Sequence, residues 1–91
     1  MRFDTYADLG DGRRVRARLS MQDNVTVDGG PALRFQTRYL LVMPGHVDLT
    51  GVLNVEVRGE SYTTVPSTRD TKWRGSVAMT TAIEVTREGQ Q

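Results

Sequence analysis

From residue 53 to residue 65 the chain alternates apolar and polar positions: Leu53-Asn54-Val55-Glu56-Val57, a break at Gly59, then Tyr62, Thr64 and Val65. A period of two sends successive side chains to opposite faces, so this stretch predicts a half-buried strand, a tight turn and a second strand. Residues 77–86, Val77-Ala78-Met79-Thr80-Thr81-Ala82-Ile83-Glu84-Val85-Thr86, alternate again and predict a long final strand. Residues 13–19 put Val15, Ala17 and Leu19 on one face and Arg14, Arg16 and Arg18 on the other. Residues 33–43 are the longest strand prediction, with Leu33, Phe35, Tyr39, Leu41 and Met43 on one face and Arg34, Gln36 and Arg38 opening the other. Leu40 and Val42 make its far end apolar on both faces, which requires cover by a loop or by an adjacent subunit.

Glycine and proline punctuate these runs at Gly10-Asp11-Gly12, Asp28-Gly29-Gly30-Pro31 and Pro44-Gly45, sequences that suit turns and end ladders. Between residues 20 and 32 the alternation fades, Val25 and Val27 support only a short strand, and residues 23–31 are expected to form a long flexible loop. Phe3, Tyr6 and Leu9 mark residues 1–9 as either an extended strand or an N-terminal arm, and residues 88–91 are expected to be a short tail. No helical period persists over eleven or more residues. The expectation is one all-β domain spanning residues 1–91, a small five- to six-stranded antiparallel β-barrel or barrel-like sandwich with a long flexible loop. Closing the barrel would also remove aggregation-prone edges.

Composition sharpens this picture. Eleven valines, eleven threonines and one isoleucine make about a quarter of the 91 residues β-branched, which favours strands. A chain of this size buries only about 60–65% of its unfolded surface, so its core is thin. Cysteine is absent, removing disulfides, thiolate nucleophiles and cysteine-based zinc sites. Domains of this kind commonly gain the missing burial by oligomerising.

The net charge is +1, with basic and acidic residues interspersed, which implies no strong general attraction to nucleic acid or to anionic membrane. Eleven of the twelve basic residues are arginine, a bias that fits interface contacts and equally fits the codon composition of a source genome. No apolar run approaches the roughly 18 residues of a membrane span, and the Met1-Arg2-Phe3-Asp4-Thr5 start lacks the apolar core of a secretory signal. A soluble chain made in a cytoplasm is expected.

The residues offer little catalytic chemistry. His46 is the sole histidine, so no Ser-His-Asp arrangement or imidazole pair can be built within one chain. Asp48 beside it is too small a ligand set. Asp4, Asp8 and Asp11 do not follow the ligand spacing of a calcium loop, and Gly10-Asp11-Gly12 lacks the strand-to-helix setting of a phosphate loop. No enzyme activity, cofactor or metal is expected. The Arg14/Arg16/Arg18 stripe admits a nucleic-acid-facing reading, but with little aromatic interleaving on that segment it reads as a solvated or subunit-interface face. Trp73, in the polar excursion of residues 67–75, either tucks onto the barrel end or, with Arg74, meets a partner.

The C-terminal half, Leu53-x-Val55-x-Val57-x-Gly59-x-x-Tyr62-x-x-Val65-Pro66, then a polar loop and a long alternating strand to Arg87-Glu88-Gly89, resembles the small neck proteins of tailed bacteriophages, the head-closure or stopper proteins and their head-tail joining relatives. Gly59 and Tyr62 match that family's strand, G-x-x-Y turn and strand. The resemblance covers about forty residues. The loop after the Tyr62 strand is shorter than in many members, and the N-terminal half has no distinctive match.

The resemblance implies a structural virion protein at the portal vertex, assembled in the host bacterial cytoplasm. It would form a hexameric or dodecameric ring between a portal or adaptor ring and the tail terminator or tail tube, with genomic double-stranded DNA passing through the lumen. On that reading Asp23, Asn24, Asp28, Gly29 and Gly30 supply a lumen or partner loop, and Arg14, Arg16, Arg18, Leu40, Val42, Trp73 and Arg74 supply subunit contacts. The alternatives are another small virion part, such as a tail terminator or capsid-decoration protein, or a nucleic-acid-binding barrel of the OB or SH3-like kind.

Overall fold

Alternation broken at glycines yields six strands, and no helix occurs among the described residues. The computed structural model describes the backbone of residues 2–28 and 33–90 and the side chains of residues 2–22 and 36–87. The strands are β1 (Thr5–Asp8), β2 (Arg14–Asp28), β3 (Leu33–Pro44), β4 (Asn54–Val57), β5 (Glu60–Arg74) and β6 (Val77–Gln90). They close into a barrel in the order β1-β2-β3-β6-β5-β4, with every neighbouring pair antiparallel. The seam is short: β1 meets β4 through Ala7 opposite Val57 and Asp8 opposite Glu56. The N-terminal segment is therefore a barrel strand, not an arm.

Inward positions fill the barrel. Leu19 stands opposite Leu41, and Leu41 opposite Ile83, while Ala7 and Ala17 give small side chains where β1 and β2 pair. Leu41, Met43, Ile83, Val55, Val57 and Val85 are all under 2% exposed. The connection from β3 to β4 must cross the end of the barrel, because β6 and β5 lie between those strands. It closes that end with Val47, Leu49 and Val52. Thr64 Oγ1 donates to the Val52 carbonyl (2.8 Å), and Thr81 Oγ1 donates to the Gly45 carbonyl (2.8 Å) while accepting from the Val47 amide (3.0 Å). The polar backbone of the plug is thereby satisfied where it enters the core.

Two hairpins outrun the barrel, one at each end, and the molecule measures 50 × 25 × 25 Å. At one end β2 and β3 stay paired to Asp28 opposite Leu33, with β6 continuing beside β3 to Gln90 opposite Arg34. At the other, β5 and β6 stay paired to Arg74 opposite Val77.

The structure corrects five expectations. Asp23, Asn24 and Asp28 are ladder residues of β2 and not part of a flexible loop, while Gly29 and Gly30 lie outside the described residues. Residues 88–90 are strand and not a tail, and Trp73 belongs to β5 and not to a loop. Leu53 precedes β4 and is 64% exposed. The polar run after Val65 is a bulge: Val65 faces Glu84 and Asp70 faces Ala82. Within it, Thr68 Oγ1 donates to the Val65 carbonyl (2.7 Å) and accepts from the Glu84 amide (2.8 Å). Pro66, unable to donate to a ladder, sits where none is required.

The turn between β4 and β5 was legible at Gly59. Arg58 (φ 54°) and Gly59 (φ 78°) both have positive φ, the type I′ geometry that matches strand twist in two-residue hairpins. Arg58 is held there by its side chain, whose Nε donates to Thr5 Oγ1 (3.3 Å) and whose guanidinium pairs with Asp4 (3.6 Å). Nothing lies within 4 Å of a Cβ placed on Gly59, so Gly59→Ala is expected to lose about 1–2 kcal/mol through backbone strain alone. Urea unfolding followed by far-UV circular dichroism measures the loss, and an unchanged midpoint would contradict the turn assignment.

Candidate assembly and binding surfaces

Most of the described carboxylates at the surface already have partners. Asp11 accepts from the Arg13 backbone amide (3.1 Å) and from its guanidinium (2.9 and 2.7 Å), which holds the Asp11 carboxyl below the usual carboxylate range. Asp48 accepts from the Thr50 amide (3.0 Å), which lowers its pKa as well. Asp4 pairs with Arg58, Glu60 with Arg87, Asp70 with Lys72 and Glu84 with Arg38. Asp4, Asp8 and Asp11 do not converge, and no group of His, Asp and Glu among the described residues could hold a metal ion. His46 is exposed, with its ring centroid 6.2 Å from that of Trp73.

Gly59 and Tyr62 take different parts. Gly59 makes the turn, while Tyr62 enters the core at 6% exposure and meets Tyr39 edge-on with centroids 5.2 Å apart. Burial holds the Tyr62 phenol above its ordinary value of 10.0. The folded state thus keeps this proton more tightly than the unfolded chain. The associated stability is complete below the unfolded tyrosine value of about 10 and is lost as pH rises through the folded value. Tyr62→Phe is expected to remove that alkaline decline and keep the contact with Tyr39. Urea midpoints of both proteins measured from neutral pH upward should diverge only in the alkaline range, and parallel curves would refute the burial effect.

Three surfaces remain for a partner. The first is the free end of the β5–β6 hairpin, where Trp73, Val77 and Met79 are 57%, 60% and 48% exposed and Arg74 stands opposite Val77. Sequence reasoning found Trp73 and Arg74, while the alternation of residues 77–86 gives Val77 and Met79 the parity of the inward Ile83 and Val85. Both leave the core because the strand has passed the barrel wall.

The second surface is the outer face of β2. Arg14, Arg16 and Arg18 are all exposed there, and Val15 and Leu19 are half-buried about the buried Ala17. Tyr6, 47% exposed on β1, lies opposite Arg16, and the Arg14 guanidinium sits 4.9 Å from its ring centroid. The aromatic neighbour missing from the β2 sequence is supplied by the adjacent strand.

The third is the outer face of β3, and it is smaller than expected. Leu40 is half-buried, and Val42 is only 5% exposed within the single chain, placed between Arg18 and Ala82 in register. Val42 is thus already covered and offers a partner little surface. A scan against protein families, a search of curated proteins and a search of solved structures find no match to this chain.

Proposed function

We propose that this chain is a structural subunit of the neck of a tailed bacteriophage, forming a ring between the portal or adaptor ring and the tail. The observation that carries the reading is the β5–β6 hairpin, which leaves the barrel with Trp73, Val77 and Met79 exposed. Large apolar side chains exposed on both faces of one projecting tip, Trp73 level with Ala78, and Val77 and Met79 on the other face, fit contacts with other subunits better than solvation. A repeated head-to-tail contact that closes on itself makes a ring and leaves no patch uncovered. The barrel interior is packed with side chains, so no subunit is itself a conduit, and a passage for DNA arises only at the centre of a ring. Hairpins at opposite ends suit a part joined above and below. The resemblance of residues 53–89 to neck proteins names the setting.

The test is the mass and shape of the purified chain, alone and mixed with a portal or adaptor protein and with a tail protein. Light scattering after size exclusion should give a hexamer or dodecamer, and negative-stain images should show discrete rings. A persistent monomer in every mixture would overturn the reading.

A further inference from the structure

We infer that the outer face of β1 and β2 is a nucleic-acid contact, in which Arg14, Arg16 and Arg18 each neutralise a backbone phosphate. Alternate residues on one face of a strand recur every ~6.6–6.8 Å, so the three guanidiniums form a straight row about 13 Å long. That length is the rise of about four nucleotides in one strand of a duplex, at 3.4 Å each. Arg14 and Arg16 lie on the stretch of β2 that pairs with β1, and Arg18 on the stretch that pairs with β3, so the whole row belongs to the ladder and needs no ordering on binding. Arg14 is further fixed over the Tyr6 ring.

None of the three arginines makes an ion pair among the described residues, although Asp8 lies opposite Arg14 in register. Asp8 instead accepts from the Gly10 amide at 3.2 Å. Arg13, Arg38, Arg58 and Arg87 are tied to carboxylates; among the described residues Arg2, Arg69 and Arg74 are not, but they are scattered, whereas the three on β2 stand in one row.

The same inventory argues against a second copy as the occupant. Among the described carboxylates only Glu56 has no hydrogen-bonding or ion-pair partner, so among the described residues a second copy offers no free row of carboxylates to the three guanidiniums. A polyanion of regular spacing can. The inference stands without the ring, because a monomer would present the same row.

Fluorescence anisotropy of the full-length chain with a labelled random duplex of about 20 base pairs, and with a single strand of the same length, tests it across salt. Binding should fall with a slope of log affinity on log salt near −2.7 for the duplex, or about 40-fold between 50 and 200 mM. The triple variant Arg14→Gln, Arg16→Gln, Arg18→Gln should lose binding, each single variant should reduce the slope by about one, and the triple lysine variant should retain it. Circular dichroism checks that the variants fold, which these exposed positions permit. The inference is overturned by absence of binding at about 25 mM salt, by a triple glutamine variant that binds as well as the native chain, or by a triple variant whose oligomer dissociates while its DNA affinity holds. The first two of these outcomes leave ring formation untouched.

Discussion

Leu41→Ala is expected to lower stability by about 2–5 kcal/mol, the range for removing a large aliphatic side chain from a packed interior. Leu41 is fully buried and lies between Leu19 and Ile83 on the flanking strands. The closed ladder prevents those strands from moving inward, so most of the cavity would persist. For 91 residues the whole stability is about 5–14 kcal/mol at typical per-residue values, and this one change takes a large part of it. Leu40→Ala on the same strand provides the comparison. Its side chain is half-buried on the outer face, and its loss should amount to about 1 kcal/mol or less. Urea unfolding of both variants measures the difference, and a larger loss at position 40 would show that the two faces of β3 have been assigned backwards.

The barrel was legible because its interior imposes a period of two wherever a strand forms part of the wall. Ala17, Val55, Val57, Ile83 and Val85 all point inward as their parity requires. Parity ceases to be informative where a strand continues without a wall. Val77 and Met79 share the parity of Ile83, yet the interior has ended before they are reached. The opposite error arises at residues 23–28, a polar Asp-Asn-Val-Thr-Val-Asp stretch with little contrast between faces, which reads as loop. Its strand character comes from pairing with β3, whose residues carry the stronger alternation. The first segment was left between strand and arm for another reason: the inward residues of β1 are Thr5 and Ala7, whose small size carries little hydrophobic signal.

Of the candidate surfaces, the arginine row could be read from alternation alone, whereas Tyr6 beside it could not. That juxtaposition depends on the register of β1 against β2, with Tyr6 opposite Arg16. Val42 shows the reverse limit. Two-faced apolarity correctly signalled cover on both sides, but the cover lies within the chain and not on a neighbour.

Replacing Trp73, Val77 and Met79 together with threonine is expected to abolish assembly while leaving the barrel folded. The three side chains are about half or more exposed and stand on a hairpin beyond the wall. Threonine keeps the preference for extended backbone, so stability should shift by only a few tenths of a kcal/mol at each position, as at other surface sites. A tryptophan at the centre of a contact commonly contributes about 2 kcal/mol or more, so Trp73→Thr alone should weaken association roughly 30-fold. The single change also removes the ring beside His46, a loss that a small shift in thermal midpoint would register separately. Met21→Ser is the control: this side chain is 63% exposed but lies on β2, near the opposite hairpin. Sedimentation velocity on the variants should show monomers for the triple change and native assemblies for Met21→Ser. Rings that survive the triple change would move the contact away from this hairpin, and rings lost with Met21→Ser would place it on the β2–β3 side, where the arginine row would then share it.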